Sequence, residues 1–297
     1  MASSTNQSSD CVFASRDCQP RSSPPRAAFT RRSGGMSDTQ TMIADTHAHL
    51  TSPEFDADLR AVVERARQWG VTAIATVSED LADAQRVVQL SREYPSIHAA
   101  AGLSPANLDR EQAQAVCAFI RQQRHALVAI GEVGLDYWVV QDHGDRELQR
   151  EIFSSFIDLS VELGLPLNVH SRSCGGPTIE MLLERGAQKV QLHAFDGKAS
   201  RALPGVEAGY LLSIPPSIVR SRQKQKLVEV LPLSALLVES DSPALGPQAQ
   251  ERNEPANVLV AIDSISQIKG VSRQQVIETI AANTQRLYGD LPKPGEA

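Results

Sequence analysis

The sequence contains little cysteine and no long apolar run. Its four cysteines, Cys11, Cys18, Cys117 and Cys174, include no pair spaced as CxxC. This pattern argues against a disulfide framework and against a zinc site built from thiolates, and it favours a reducing compartment. No apolar stretch approaches the roughly 18 residues that span a bilayer, so we expect no membrane-spanning helix.

Excess positive charge is also absent. The chain has 29 Lys and Arg against 35 Asp and Glu, which gives a formal net charge of −6. A protein that holds duplex nucleic acid on a broad basic face is therefore not expected. Any polyanionic substrate must be attracted locally, by metal ions and a few basic loops. With 297 residues, 41% of them hydrophobic, the chain is large enough for a sizeable core.

The first 41 residues differ from the rest because they are rich in Ser, Arg and Pro and lack a periodic apolar face. We predict that residues 1–41 form a disordered tail. Their arginines also resemble a mitochondrial or plastid transit peptide, and Met36 suggests an extended start as an alternative. Otherwise we expect a cytoplasmic or nuclear protein with no obligate protein partner. The predicted folded domain covers residues 42–290, with a short tail at 291–297.

Eight short apolar runs follow, each rich in Leu and β-branched residues, as in parallel strands buried on both faces. They cover residues 42–50, 71–78, 97–105, 126–136, 165–171, 189–195, 209–216 and 235–243. Segments with helical periodicity lie between them, such as 55–70, 148–164 and 178–187, and several close on a glycine. This alternation predicts an α/β fold, a (β/α)8 TIM barrel, whose catalytic groups lie at the C-terminal ends of the strands.

Five of the runs end in side chains that bind metal ions, namely His47 with His49, Glu132, His170, His193 and Asp241. His47 and His49 are two residues apart on a strand, so both point to the same face and can bind one ion. Glu132 follows four apolar residues, where a carboxylate must be paired or ligated. A carboxylate can also bridge two cations.

The two remaining imidazoles, His170 and His193, end consecutive strands and should be neighbours in a barrel. Asp241 follows the last strand, which lies beside the first when the barrel closes, so it can reach the ion held by His47 and His49. There it can also accept a proton from water. The six side chains would be divided between two divalent ions, with Glu132 shared. Mg²⁺, Mn²⁺ and Zn²⁺ all suit such a hydrolase site.

Each of these residues also has a simpler interpretation. Glu132 can form a buried salt bridge, and Asp241 can cap a turn. For Asp136 we predict a loop-capping role, and for Asp45 a supporting role behind a ligand. No site role is expected for the other histidines, His98, His125 and His143.

Eight motifs carry a family resemblance. In order between Asp45 and Gly289 they are DTHAHL, AIGEVGLDY, LPLNVHSRS, LHAFDG, SIPPSI, ESDSPAL, RNEPANV and NTQRLYG. They resemble the TatD metal-dependent deoxyribonucleases, in the amidohydrolase-like group of barrels. The stretches NVHSRS, HAFDGK and IPPSIVRSRQKQKLV are most similar to the third TatD-domain paralogue.

The resemblance implies hydrolysis of DNA phosphodiester bonds, with exonuclease or abasic-site activity, on single-stranded, terminal or damaged DNA. One implied metal set is His47, His49, Glu132 and Asp241, and the other is Glu132, His170 and His193. The family commonly has Gly-x-His-Pro after the third strand, whereas Ser104 stands at the histidine position here. Its hydroxyl is a weaker donor to a phosphate than an imidazolium would be.

Substrate contacts are less well defined by the sequence. Arg172 lies at the predicted rim, where its guanidinium could bind a phosphate. Two aromatic residues, Tyr137 and Trp138, follow the fourth strand and could stack on a base, although core or loop packing is an alternative. The basic run of Arg220, Arg222, Lys224 and Lys226 fits a solvated helix face as well as a nucleic-acid contact.

Two other functions fit the same pattern. The same site could hydrolyse a small ester, amide or phosphoester, which the acidic net charge favours. Alternatively, the barrel could keep its metal as a scaffold and bind a partner through the tail. A substrate panel separates the first from a nuclease, and substitution of His170 separates the second from any enzyme.

Overall fold

Eight parallel strands form one sheet in the order β1 to β8. The computed structural model describes residues 42–291. The strands are Ile43–Ala48 (β1), Val71–Thr76 (β2), Ile97–Ala101 (β3), Leu127–Asp136 (β4), Leu167–Arg172 (β5), Val190–Leu192 (β6), Leu211–Ile214 (β7) and Leu236–Val238 (β8). Each strand pairs in parallel with the next. The predicted (β/α)8 barrel is therefore confirmed. The disordered tail and transit peptide predicted for residues 1–41 lie outside the described residues, as does most of the predicted C-terminal tail.

Helices connect successive strands. They are Leu59–Gln68 (α1), Leu81–Glu93 (α2), Arg110–Gln123 (α3), His143–Leu163 (α4), Gly175–Glu184 (α5), Ala199–Glu207 (α6), Arg222–Val230 (α7), Val258–Lys269 (α8) and Arg273–Tyr288 (α9). The last helix packs against β1 and β8. At its end the Tyr288 hydroxyl donates to Gln191 Oε1 on β6 at 2.5 Å, inside the barrel. Among residues 42–291, no helix is both long enough and apolar enough to cross a membrane.

The predicted helix ends are partly wrong. Helix α1 begins at Leu59 rather than at residue 55, because Pro53–Phe55 forms a separate 3₁₀ turn. Helix α4 begins at His143, five residues earlier than predicted, because the Asp142 carboxylate caps it by accepting from the amides of Gly144 and Asp145. The predicted glycine ends are confirmed at Gly70, Gly164 and Gly186, which all have positive φ angles.

The barrel closes through hydrogen bonds between β1 and the segment that follows β8. The Thr46 hydroxyl donates to the carbonyl of Val238 at 2.9 Å. Beyond the end of β8, the amide of Asp241 donates to the carbonyl of His47 at 2.9 Å, and the amide of His49 donates to the carbonyl of Ser242 at 2.8 Å. These two backbone bonds place Asp241 beside His47 of β1 and His49 directly after it, as the closed barrel predicts.

Candidate metal centre

The structure brings together all six residues that the sequence predicts as ligands. His47 and His170 lie within β1 and β5, while His49 and His193 follow the last residues of β1 and β6 directly. Asp241 lies three residues after β8. We expected Glu132 to end its strand, but β4 continues for four more residues to Asp136.

One half of the cluster is formed by residues from β1, β4 and the segment after β8. The Nε2 atoms of His47 and His49 are 3.2 Å apart. Asp241 Oδ1 lies 3.5 Å from each of them. Glu132 Oε2 lies 3.4 Å from His49 Nε2 and 3.9 Å from His47 Nε2. Four potential ligand atoms therefore converge on one small volume.

The other oxygen of Glu132 faces the second half of the cluster. Glu132 Oε1 is 2.7 Å from His170 Nδ1 and 3.1 Å from His193 Nε2. The two imidazole nitrogens are themselves 3.0 Å apart. Because one carboxylate offers one oxygen to each half, Glu132 has the geometry of a bridge between two adjacent cations.

The charge distribution suits cations. Burial opposes ionisation of Glu132, but the imidazoles of His193 and His170 hold the pKa of this carboxyl well below its usual value. Burial likewise disfavours a charged His170, yet attraction to Glu132 and a hydrogen bond with Asp136 raise its pKa to about 10. Against the same burial, Asp241 and Glu132 raise the pKa of His49 to about 9. The buried carboxylates thus require nearby positive charge, and four imidazoles with two carboxylates are a donor set that divalent metals accept.

An asparagine that the sequence analysis did not identify orients His47. Asn168 Oδ1 lies 2.8 Å from His47 Nδ1, while Asn168 Nδ2 donates to the carbonyl of Thr46 at 2.9 Å. The amide is held with its oxygen towards the ring, so His47 Nδ1 carries the proton and Nε2 presents its lone pair to the centre. Asn168 lies two residues before His170 on β5, and this spacing was the available signal, because alternate residues share a face.

Asp136 has two roles, one of which the sequence analysis predicted. Its Oδ1 accepts from the amides of Trp138 and Val139, both at 2.9 Å, so it caps the loop as expected. Its Oδ2 lies 2.9 Å from His170 Nε2. This second contact leaves Nδ1 as the His170 atom that faces Glu132.

Glu239 is a further buried carboxylate that the sequence analysis missed. It accepts hydrogen bonds from the amide of Ala194 at 2.8 Å and from the Ser213 hydroxyl at 2.5 Å. Burial raises its pKa to about 7. Its Oε2 lies 3.8 Å from His193 Nδ1, and Glu239 belongs with His47 and His193 to a third group of potential metal ligands.

Asp45 supports the site through the backbone rather than through an imidazole. Its Oδ1 accepts from the amides of Ser240 at 2.8 Å and His47 at 3.3 Å. Burial raises its pKa to about 8. Asp45 thus supports the site by holding the backbone at His47 and at Ser240, next to Asp241.

Two glycines allow the strands to approach Glu132 closely. A Cβ atom on Gly102, just after β3, would overlap the carbonyl oxygen of Glu132. Gly134 has a φ of +147°, and a Cβ there would overlap the carbonyl oxygen of His170. Side chains at these positions would therefore push β4 away from its neighbours.

The predicted substrate contacts lie at the rim. Arg172 is exposed at the end of β5, and its guanidinium carbon is 5.1 Å from the centre of the Trp138 ring. Ser104 is partly exposed after β3. Its amide donates to the carbonyl of Glu79 at 2.9 Å, and its hydroxyl accepts from the amide of Ala106 at 3.4 Å.

The basic run does not form a continuous exposed face. Lys224 is buried on α7, and its ammonium donates to the carbonyls of Ala194 and Phe195, directly after His193. Arg220 donates to the carbonyl of Gly246 at 3.3 Å. The part of the run at Lys224 is therefore structural, which the sequence pattern did not reveal.

A cleft of about 430 Å³ opens beside His49 and Asp241. Its wall includes three acidic residues, Glu79, Asp80 and Asp83. Burial raises the pKa of Glu79, whose carboxylate lies 3.7 Å from His49 Nδ1. One side of the opening is therefore acidic, whereas Arg172 contributes positive charge at the end of β5.

The chain is similar to known proteins over most of its length. A family model for TatD-related DNases matches residues 44–289. The chain belongs to this TatD-related DNase family. The human relative "Deoxyribonuclease TATDN3" is 43% identical over 261 residues, which are 84% of this chain and 95% of the relative. The Bacillus subtilis relative "Uncharacterized metal-dependent hydrolase YabD" is 32% identical and is matched over 83% of this chain and 99% of its own length.

Solved structures support the same TatD-like fold. The Escherichia coli TatD homologue YJJV superposes with a TM-score of 0.78 at 24% identity, over 85% of this chain and 100% of its own. A TatD-family hydrolase from Entamoeba histolytica gives a TM-score of 0.76 at 21% identity, over 83% of this chain and 97% of its own. At these identities the likeness concerns the barrel alone.

Proposed function

We propose that the protein is a divalent-metal-dependent deoxyribonuclease that hydrolyses phosphodiester bonds in DNA. The observation that carries this proposal is the position of Glu132, whose two oxygens face two separate sets of imidazoles. The substrate class is supported by family membership and by the name of the human relative. Terminal, single-stranded or damaged DNA fits best, because the net charge of −6 opposes binding of long duplexes.

We assign the six clustered side chains to two cation sites. His47, His49 and Asp241 would hold one ion, and His170 and His193 the other, with Glu132 shared between them. When bound, two such ions supply Lewis acidity and a water of lowered pKa. The Mg²⁺, Mn²⁺ and Zn²⁺ ions are all compatible with these ligands.

The chain's own residues then position the reactants and the proton. Asp241 borders the cleft together with His49, so its carboxylate can accept the proton of an attacking water. The water oxygen bonds to phosphorus, the bond from phosphorus to the departing sugar oxygen breaks, and that oxygen takes a proton from solvent at the open rim. Asn168 and Asp136 keep His47 and His170 in the orientations that this arrangement needs.

Cleavage of end-labelled single-stranded DNA tests the proposal. Wild-type protein is stripped of metal and reloaded with Mg²⁺ or Mn²⁺, beside Glu132→Gln and a surface control, Glu184→Gln. We expect cleavage that requires added metal, persists in the control and falls at least a hundredfold in Glu132→Gln. Comparison of 3′ and 5′ labels gives the polarity. Failure of reloaded wild type to cleave any DNA would refute the proposal.

A second candidate is the hydrolysis of a small ester, amide or phosphoester. The acidic wall of Glu79, Asp80 and Asp83 supports it, because these carboxylates repel a polyanion. A panel of lactones, amides and phosphate esters distinguishes the two functions. Turnover of an amide or lactone without DNA cleavage would favour the small-molecule hydrolase.

A further inference from the structure

An exposed aromatic side chain lies beside the candidate metal centre. The turn after β4 carries Trp138, which is 62% exposed, and Val139, which is 55% exposed. Both are large apolar side chains that gain little from burial in the folded chain. The same turn begins at Asp136, whose Oδ2 contacts His170.

The turn is held firmly although its apolar side chains are exposed. Asp136 Oδ1 accepts from the amides of Trp138 and Val139. The amide of Tyr137 donates to the carbonyl of Arg172 at 3.0 Å. Arg146 donates to the carbonyls of Val140 and Tyr137 at 2.9 and 3.2 Å. One carboxylate therefore joins the backbone of the indole-bearing turn to a proposed metal ligand, which fixes the turn relative to the centre.

A cation lies over the indole. The guanidinium of Arg172 is 5.1 Å from the centre of the Trp138 ring. Within residues 42–291 this guanidinium makes no hydrogen bond or ion pair, so its N–H groups remain available to an anion. Arg172 lies two residues after His170 on β5, on the same side of the barrel opening. A flat apolar ring and a free cation thus occur together at the rim.

We propose that Trp138 and Arg172 form a subsite that stacks one nucleobase of single-stranded DNA and binds the adjoining phosphate. Every base has a face on which an indole can stack, and an arginine guanidinium can hydrogen-bond to two oxygens of one phosphate. The subsite therefore binds DNA without sequence preference. A nucleobase fits this pair better than a protein partner, because the positive charge lies directly against the ring. This inference rests on the proposed nuclease function.

Competition by a base-free strand tests the subsite. The inhibitors are a thymidine oligonucleotide and an oligonucleotide of abasic residues with the same number of phosphates. Each competes for cleavage of labelled single-stranded DNA by metal-loaded wild type, Trp138→Ala and Trp138→Phe. We expect wild type and Trp138→Phe to prefer the thymidine strand about tenfold, and Trp138→Ala to lose most of that preference. The KM of Trp138→Ala should rise about tenfold, with a smaller change in kcat.

Two controls separate a subsite from a structural effect. Trp69→Ala removes the other tryptophan, which lies before β2 at the opposite end of the barrel and is 47% exposed; it should behave as wild type. Metal content of Trp138→Ala, measured by mass spectrometry, should equal that of wild type. Equal preference for the two strands in wild type, or an unchanged preference in Trp138→Ala, would overturn the subsite. Absence of DNA cleavage by wild type would instead refute the nuclease function on which it rests.

Discussion

At the scale of single residues, one amide and one carboxylate behind the proposed ligands determine which nitrogen two of the imidazoles present. Asn168 contacts Nδ1 of His47 and so turns Nε2 inwards, whereas Asp136 contacts Nε2 of His170 and turns Nδ1 inwards. Opposite nitrogens of two histidines are therefore directed at the same carboxylate, Glu132. Partners of this kind commonly change metal affinity by about 10- to 100-fold.

Replacing Asn168 with Ala should weaken binding of one divalent ion by about 10- to 100-fold, because His47 loses the partner that fixes its ring. Isothermal titration calorimetry of metal-stripped protein measures this affinity. The matched control is Asn283→Ala, since Asn283 is also a buried amide that donates to carbonyls, those of Leu233 and Leu236. The control should lose about 1–3 kcal/mol of stability without losing metal affinity. Equal metal affinity in wild type and Asn168→Ala would contradict the orienting role.

His98 should make folding sensitive to pH. It is buried on β3, and burial lowers its pKa from 6.5 to about 4. The unfolded chain therefore binds the proton more tightly, so the folded state loses stability as pH falls from about 6.5, levelling off below about 4. At about 1.4 kcal/mol per pKa unit, the loss approaches about 3 kcal/mol.

Urea unfolding of wild type and His98→Phe between pH 4 and 7.5 tests this prediction. The free energy of unfolding of His98→Phe should rise relative to that of wild type as pH falls. His125→Phe, at an exposed position, is the control and should show no such shift. A gap between wild type and His98→Phe that is independent of pH would show that His98 is not responsible.

The proposed ligands could be predicted from the sequence, whereas Asn168 and Glu239 could not. The six proposed ligands stand out because each follows an apolar run, where a polar side chain needs a partner. Asn168 and Glu239 lie within or beside the same runs, but an amide or carboxylate there has many possible partners. Only the folded barrel brings Asn168 of β5 to His47 of β1 and Glu239 beside the residue that follows His193.

At the scale of elements, close approach of strands places Glu132. Strand β4 runs past Glu132 to Asp136, and it passes Gly102 after β3 and the backbone of β5 with little space. The sequence predicted all eight strands, including β4 as far as Asp136, but it did not predict that Glu132 would lie inside that strand rather than at its end. Its last residues remain in register with β5 as far as Arg172, a pairing that the spacing of apolar residues does not encode.

Replacing Gly102 with Ala should displace Glu132, because the added methyl would overlap its carbonyl oxygen. We expect a loss of about 1–3 kcal/mol in stability and at least a tenfold loss in metal affinity. Thermal unfolding and calorimetry measure the two effects. Gly176→Ala is the control, since the nearest atom to its added methyl would be 3.6 Å away. Normal metal affinity in Gly102→Ala would show that the approach of β3 does not position Glu132.

At the scale of the whole molecule, closure of the barrel unites ligands that are far apart in sequence. His47 and Asp241 come from the two ends of the domain and are joined by backbone hydrogen bonds between their segments. The fold class could be predicted because strand and helix alternate regularly. The role of residues 1–41 could not be predicted, because no apolar pattern in their sequence specifies a helix or a strand.

We propose that residues 42–291 fold independently, as the match of the family model to residues 44–289 supports. A fragment of residues 42–297 should then melt within a few degrees of the full chain and bind metal with an affinity within about twofold. Differential scanning calorimetry and metal titration of both proteins provide the comparison. Aggregation of the fragment, or loss of its metal affinity, would mean that the first 41 residues belong to the fold.

The most direct test of a centre in which Glu132 is shared by two ions is the number of metal ions bound per chain. Equilibrium dialysis of metal-stripped protein against Mn²⁺ or Zn²⁺, followed by elemental analysis, gives this number for wild type, His49→Ala and His170→Ala. We predict two ions for wild type and one tightly bound ion for each variant, because each substitution removes a ligand from a different side of Glu132. A single ion in wild type, or complete loss of metal in both variants, would contradict a centre in which Glu132 is shared by two ions.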